Sequence, residues 1–261
     1  MTDALRYEWV RLRTLRSTWW LIGLAFAPAM LLELHALALK GDLTVIDYGD
    51  ILTAGGLGAF LVAILLSMIG IFAIGHEYRY GTIRPTLTAL PQRSTVMAAK
   101  VLVVLAVVLV VSLLIEIGQY LVALSILGHR LLDLGLFPGP MARVWIGLAI
   151  YNGIFALVGL ALAGLFRNIP AAIVTVILFP LLIENLIRGL LTISALEPIR
   201  GLGKVLPFSA GEQIFSYQPV PSDAPSGFTE VPSPGIGLLV FVVFLGLVLG
   251  LAWALFEKRD A

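Results

Sequence analysis

The sequence contains no cysteine and only three histidines, His35, His76 and His129. Without cysteine the chain has no disulfide framework, no thiolate metal site and no thiol nucleophile. The three histidines are scattered along the chain, so a catalytic triad or a three-histidine metal site has little support. We therefore expect no metal and no cofactor in this chain.

Charge is also scarce. Only 13% of the 261 residues are charged and 59% are hydrophobic, whereas soluble domains have about 25% charged and roughly 45 to 50% apolar residues. A soluble domain of this composition would have to expose apolar patches far larger than soluble monomers tolerate. The composition is typical of a membrane protein.

Sequence patterns that imitate catalytic motifs are incomplete. The Gly-Lys pair at 203–204 has Pro198 where a phosphate-binding loop requires glycine, and no Ser or Thr follows it. The His-Glu pair at 76–77 begins a zinc-protease pattern, but Tyr80 replaces the second histidine. We therefore expect the chain to be non-catalytic by itself.

Long apolar runs predict an all-α polytopic membrane protein in which residues 1–261 form a single transmembrane domain. About 20 apolar residues cross the hydrocarbon core. Residues 1–17 have helical apolar spacing and four arginines, which predicts an interfacial amphipathic helix; a cleaved signal peptide is the competing interpretation. Before the last span, residues 194–235 predict short helices in the outer leaflet followed by an extended loop. The six predicted spans are 18–39, 51–75, 101–127, 144–166, 171–193 and 236–256.

The distribution of Lys and Arg predicts the orientation. With six spans both termini lie on one side, and that side carries eleven basic residues against six on the other. The positive-inside rule places the termini and the loop 76–100 in the cytoplasm. The eleven are Arg6, Arg11, Arg13, Arg16, Arg79, Arg84, Arg93, Lys100, Arg167, Lys258 and Arg259.

The loop 76–100 is predicted to contain a short helix over 82–90. Gly81 can end the preceding span, Thr82 is a suitable N-cap, and Pro91 stops the helix. Ser94 is then expected to cap the third span. The basic residues alone fit either a loop that contacts lipid phosphates or a helix that docks on another protein, and the spacing does not separate the two.

The same loop carries a resemblance. Its residues match the pattern Glu-x3-Gly-Thr-x-Arg-x2-Leu-x3-Pro-x-Arg-x6-Lys, which resembles the first cytoplasmic loop of bacterial ATP-binding-cassette exporter permeases of the second type, also called type V exporters. The amphipathic N-terminus, the six spans, the tight loop between spans four and five, and Leu-Pro-Phe-Ser-Ala-Gly at 206–211 extend the resemblance over the whole chain. The matching residues are Glu77, Gly81, Thr82, Arg84, Leu87, Pro91, Arg93 and Lys100.

The resemblance implies a half-transporter of the bacterial inner membrane that pairs with a second copy or a similar permease and docks two cytosolic ATPase subunits. ATP and Mg would bind in that partner ATPase. The helix over 82–90 would be the coupling helix, and residues 1–17 the connecting helix beside it. The implied ATPase-coupling residues are Glu77, Arg79, Gly81, Thr82, Arg84, Leu87, Leu90 and Arg93.

Polar residues inside the spans are candidates for a translocation path. Ser112, Glu116, Gln119 and Tyr120 share one face of the third span, where a carboxylate is costly and is expected to face protein or a wet cavity. A structural hydrogen bond is the alternative. In the fifth span, the resemblance implies that Glu184 and Arg188 are candidates for an external gate, and a self-neutralising i,i+4 pair is the alternative. Pro180 in the same span predicts a kink.

Two further interpretations stay open from the residues alone. Glu116 could serve an ion-coupled secondary transporter, or it could form a minimal acid-base set of an intramembrane enzyme with a histidine. The small-residue stripe of the last span, Gly246, Gly250 and Ala254, permits close helix approach and is expected to pack within the chain rather than against a second copy.

Overall fold

The computed structural model describes residues 1–39, 56, 58–128, 139–216 and 232–258. Every regular element in these residues is helical, and six helices are long and apolar enough to cross a membrane. The predicted all-α class with six spans is confirmed. The predicted start of the second span at 51–55 and the external loop at 217–231 lie outside the described residues.

The helices are numbered in chain order. The N-terminal half has α1 (Thr2–Thr14), α2 (Arg16–Leu39), α3 (Ala59–Arg79), α4 (Ile83–Ala89) and α5 (Arg93–Leu127). The C-terminal half has α6 (Gly139–Phe166), α7 (Ile169–Leu178), a π-helical segment (Phe179–Glu184), α8 (Asn185–Leu190), a 3-10 helix (Ser194–Val205), α9 (Pro207–Glu212) and α10 (Pro234–Lys258).

The centre of the bundle is the close pair α3 and α6. A Cβ atom added to Gly70 would collide with the carbonyl oxygen of Ala156, and one added to Gly159 would lie 2.7 Å from the carbonyl oxygen of Ser67. Glycine is needed at these positions because only a hydrogen atom fits between the two backbones. The remaining helices pack around this pair.

The turn between α6 and α7 is short. Arg167 has φ 51, a left-handed conformation that is uncommon outside glycine. The side chain of Asn168 accepts a hydrogen bond from the backbone N–H of Ala171 at 2.9 Å, and this caps α7. The guanidinium of Arg167 lies 5.0 Å from the ring centroid of Tyr78 on α3. The turn is therefore fixed to the neighbouring span.

The fifth span contains the backbone irregularity that Pro180 predicts. It is a π-helical segment over Phe179–Glu184. This segment allows the helix to continue through Pro180, which has no N–H to donate. The 3-10 helix and α9 follow this span.

Two local predictions are wrong. The third span helix begins at Arg93 after Gln92, so Ser94 lies inside the first turn and does not cap it. The small-residue stripe of α10 does not pack within the described part of the chain: a Cβ atom on Gly246 or Gly250 would meet no atom within 4 Å. The stripe faces outward because α10 contacts its neighbours through other residues, including Phe241 and Ala252, both fully buried.

Candidate functional site

Four buried or half-buried charged residues meet where α1, α3 and α5 come together. We call Glu8, Arg11, Glu77 and Lys100 the ion cluster. Lys100 Nζ lies 2.6 Å from Glu8 Oε1 and 2.8 Å from Glu77 Oε1. The Nη1 atom of Arg11 lies 3.0 Å from Glu8 Oε2 and 2.5 Å from Glu77 Oε1. Each base therefore bridges both acids.

Backbone carbonyls of α3 complete the ion cluster. Lys100 donates to the carbonyl oxygen of Ala73 at 3.2 Å. Arg11 donates to the same oxygen and to that of Phe72, the latter at 3.3 Å. A buried ion pair is tolerated only when its remaining donors are satisfied. These contacts hold α1 and α5 on the same turn of α3.

The charges of the ion cluster balance, with two acids and two bases. Burial raises the pKa of Glu8, and the positive charges of Lys100 and Arg11 oppose that rise. Lys100 is 0% exposed, and an isolated ammonium group at that depth would cost several kcal/mol. The cluster is thus a mutually dependent unit, because loss of one member leaves an uncompensated buried charge.

The seven-residue helix α4 lies beside the ion cluster, over the region predicted for the coupling helix. Gly81 has φ +68, which allows the chain to turn sharply after α3. Thr82 occupies the N-cap position, but its side chain makes no capping hydrogen bond. The inward residues Ile83 and Thr86 are buried. The hydroxyl of Thr86 lies 3.1 Å from that of Tyr7 on α1, so α4 is hydrogen-bonded to the N-terminal helix.

The eight residues predicted for ATPase coupling divide by exposure. Glu77 is buried in the ion cluster. Arg93 is half-buried and donates to the carbonyl oxygens of Phe256 and Glu257 at 3.4 and 3.3 Å, which ties the start of α5 to the end of α10. Leu87 and Leu90 are half-buried. The exposed residues are Arg79, Gly81, Thr82 and Arg84.

The polar face predicted on the third span is buried inside the chain. Ser112 accepts a hydrogen bond from Asn152 on α6 at 2.7 Å. Gln119 donates to the carbonyl oxygen of Ala29 on α2 at 3.4 Å. The ring of Tyr120 packs edge-on against Trp145, with centroids 6.0 Å apart. These contacts join α5 to both α2 and α6.

Glu116 lies on the same face and is 6% exposed. It interacts electrostatically with Glu33 of α2, a residue that the sequence did not single out. Glu33 is 1% exposed, and neither of its carboxylate oxygens has a hydrogen-bond partner among the residues that the structure describes. Two carboxyl groups are therefore enclosed between α2 and α5.

Glu184 directs both carboxylate oxygens at the start of α9. It accepts hydrogen bonds from the backbone N–H groups of Phe208 and Ser209 at 2.9 and 2.8 Å, and from the Ser209 hydroxyl at 2.5 Å. A carboxylate at a helix N-terminus satisfies N–H groups that have no partner in the helix. Glu184 thus fixes α9 to the fifth span, a role that its i,i+4 spacing from Arg188 did not indicate.

The positive charge of Arg188 acts on Glu212 at the end of α9. Burial raises the pKa of Glu212 to about 7, while the charge of Arg188 lowers it and that of Glu184 raises it. Both ends of the short helix α9 therefore interact with side chains from the fifth span.

A family model described as ABC-2 family transporter protein matches residues 4–198. The chain belongs to this family. The match covers more than half of the chain and includes the ion cluster, α4 and the first five spans. No curated protein matches the sequence.

Membership of the ABC-2 family makes this chain a transmembrane component of an ABC transporter, a multi-pass membrane protein whose family associates with ABC ATPases. Such a component is generally non-catalytic. Among the described residues of this ABC-2 protein, no group of three or more His, Asp or Glu side chains could hold a metal ion.

Sequence reasoning missed Glu8 and Arg11 of this ABC-2 protein as site residues. Glu8 interrupts the apolar stripe of residues 1–17, and Arg11 enters the sequence-based prediction only as a charge that sets orientation. An acid on the apolar face of a helix is itself a signal, since it is expected to have a partner when buried. Its partner, Lys100, lies 92 positions away and cannot be deduced from local spacing.

Proposed function

We propose that this chain is the membrane half of an ATP-driven exporter and that α4 receives the force from a separate cytosolic ATPase. The observation that carries the proposal is the attachment of α4. Its inward residues are buried, Thr86 is bonded to Tyr7 of α1, and α1 is locked to α3 and α5 by the ion cluster. A displacement of α4 would therefore move α1, α3 and α5 together.

The outward surface of α4 is suited to contact another protein. Arg84, Pro85, Thr88 and Ala89 are exposed, and Leu87 and Leu90 are half-buried beside them. One basic residue among apolar and small side chains provides a contact that excludes water, with a charge at its rim. Glu77 would act here as a positioning residue, since it is buried in the ion cluster that joins α1 and α5 to α3.

The proposed assembly contains two copies of this chain, or this chain and a similar permease, with two ATPases that bind ATP and Mg. The path would run between the two permeases in the bacterial inner membrane, with termini in the cytoplasm and transport outward. Ser112, Glu116, Gln119 and Tyr120 would support the wall of this path by holding α5 against its neighbours. Glu184 and Arg188 would position α9 at the outer gate.

Co-purification tests the proposal. The tagged chain is isolated from its native membrane in mild detergent, and bound proteins are identified by mass spectrometry. We expect a P-loop ATPase with the wild type and about tenfold less with Arg84→Glu, a loss that corresponds to about 1.4 kcal/mol. Lys258→Glu is the matched control, because Lys258 is an exposed basic residue predicted on the same side.

Two results would overturn the proposal. One is the absence of any P-loop ATPase from the wild-type sample at normal expression. The other is equal recovery of the ATPase with Arg84→Glu and with the wild type, which would exclude the outward surface of α4 as the docking surface.

A further inference from the structure

We propose that a groove between α1, α2 and α5 binds an anionic phospholipid, with one acyl chain in the groove and the phosphate at Arg13. This site is separate from the α4 surface and does not depend on the proposed function.

The groove is apolar along its length. It has a volume of about 360 Å³, at the lower end of the range for ligand pockets. Ile22 and Phe26 of α2 form one wall, and Val110 and Leu114 of α5 form the other. From Trp19 to Phe26 the helix rises about 10 Å, so the groove can hold a substantial part of an acyl chain along the helix axes.

The mouth of the groove has the residues of a membrane interface. Arg13 is exposed and lines the mouth together with Trp9 and Trp19. The indole N–H of Trp19 donates to the carbonyl oxygen of Arg13 at 2.8 Å, which fixes the ring beside the basic residue. Tryptophan is enriched at the level of the lipid headgroups. A chain in the groove would therefore place its phosphate next to the Arg13 guanidinium.

The charge of α1 favours an anionic headgroup. Its exposed charged residues include Arg6 and Arg13, with Asp3 as the acid of its first turn. Glu8 is turned inward to the ion cluster, so it does not neutralise the basic outer face. Basic residues near an anionic lipid surface are attracted to its headgroups. The ion cluster thus leaves α1 with an outer face that is mainly positive.

The same charge disfavours a second copy of the chain as the occupant. A two-fold contact places the same patch of each copy against the other, so it would bring two Arg13 side chains together. A lipid phosphate supplies the opposite charge instead.

Native mass spectrometry tests the proposal with phosphatidylglycerol and phosphatidylcholine of identical acyl chains. We expect the wild type to retain phosphatidylglycerol about fivefold more than phosphatidylcholine, the factor for about 1 kcal/mol. Arg13→Gln should abolish this preference, and Lys258→Gln, at an exposed basic residue of α10 that does not line the groove, should retain it. Equal retention of both lipids by the wild type would overturn the proposal.

A second pair of variants tests the groove itself. Val110→Trp fills it and should remove bound phosphatidylglycerol, whereas Leu121→Trp, an exposed position about three turns further along α5, should not. Undiminished retention with Val110→Trp would contradict the proposal. Because the chain has no cysteine, Val110→Cys also provides a single thiol. An efficient disulfide between two copies would show that a second copy fills the groove, and it would overturn the proposal of a bound lipid.

Discussion

Lys100 Nζ and Glu8 Oε1 are 2.6 Å apart, although their residues are separated by 92 positions. The contact joins the N-terminal helix to the third span, and Glu77 and Arg11 extend it to the second. The ATPase-coupling residues predicted in the loop 76–100 are therefore anchored by a buried cluster of balanced charges.

Replacement of Lys100 by methionine should strongly destabilise the protein. Lys100→Met leaves two buried acids with one base, and breaking a buried ion pair in this way costs about 3–5 kcal/mol. The measurement is the thermal unfolding temperature in detergent, with Lys258→Met as the exposed control. The double variant Glu8→Gln/Lys100→Met restores the charge balance and should recover part of the loss. A double variant no more stable than Lys100→Met would contradict a balanced cluster.

Removal of the Tyr7 hydroxyl should loosen α4. Tyr7→Phe deletes the hydrogen bond to Thr86, which contributes about 1 kcal/mol. Backbone amides of Ile83–Ala89 should then exchange hydrogen about fivefold faster, because exchange follows the free energy of local opening. Tyr80→Phe is the control, since the residue Tyr80 is 67% exposed. Unchanged exchange in Tyr7→Phe would show that α4 is held by its apolar contacts alone.

A side chain at Gly70 should disrupt the central helix pair. Gly70→Val places a branched side chain against the backbone of Ala156, and a backbone cannot move aside as a flexible side chain does. We expect little folded protein by size-exclusion chromatography. Gly250→Val, also a glycine in a span helix but with open space around it, should fold normally. A normal elution profile for Gly70→Val would mean that α3 and α6 do not approach to backbone contact at this position.

The class of the fold and its six spans follow from the sequence because the bilayer forces apolar runs of this length into helices. Gly81 and Pro91 likewise bound α4, since backbone conformation at glycine and proline is a local property. The partners of Glu8 and Glu184 could not be predicted in this way. Lys100 and Ser209 are brought to them by packing between helices distant in the chain, which no spacing encodes.

Loss of the Glu184 carboxylate should release the start of α9. Glu184→Ala leaves the N–H groups of Phe208 and Ser209 buried without their acceptor. A buried polar group without a partner lowers the free energy of unfolding by about 1–3 kcal/mol. Ser209→Ala removes one hydrogen bond and keeps both backbone bonds, so it should cost less. Thermal unfolding of the two variants measures the difference. Equal destabilisation would assign the main contribution to the Ser209 hydroxyl.

The pH dependence of stability should report Glu212. Its pKa is about 7 in the folded protein, above the usual value of 4.5, so the folded state binds more protons than the unfolded state between these values. The contribution of Glu212 to the free energy of unfolding is therefore most favourable below pH 4.5 and is lost as the pH rises to 7.

Glu212→Gln removes this titration. Between pH 5 and 8 the free energy of unfolding of the wild type should fall by about 1–3 kcal/mol relative to the variant. This range follows from about 1.4 kcal/mol for each unit by which the pKa is raised, reduced because Glu212 is partly exposed to solvent. Arg188, Glu184 and Tyr151 also interact electrostatically with Glu212 and are unchanged in the variant. Glu197→Gln, at an exposed carboxylate, is the control and should follow the wild type. Parallel pH profiles for the wild type and Glu212→Gln would show that Glu212 is ionised in the folded protein throughout this range.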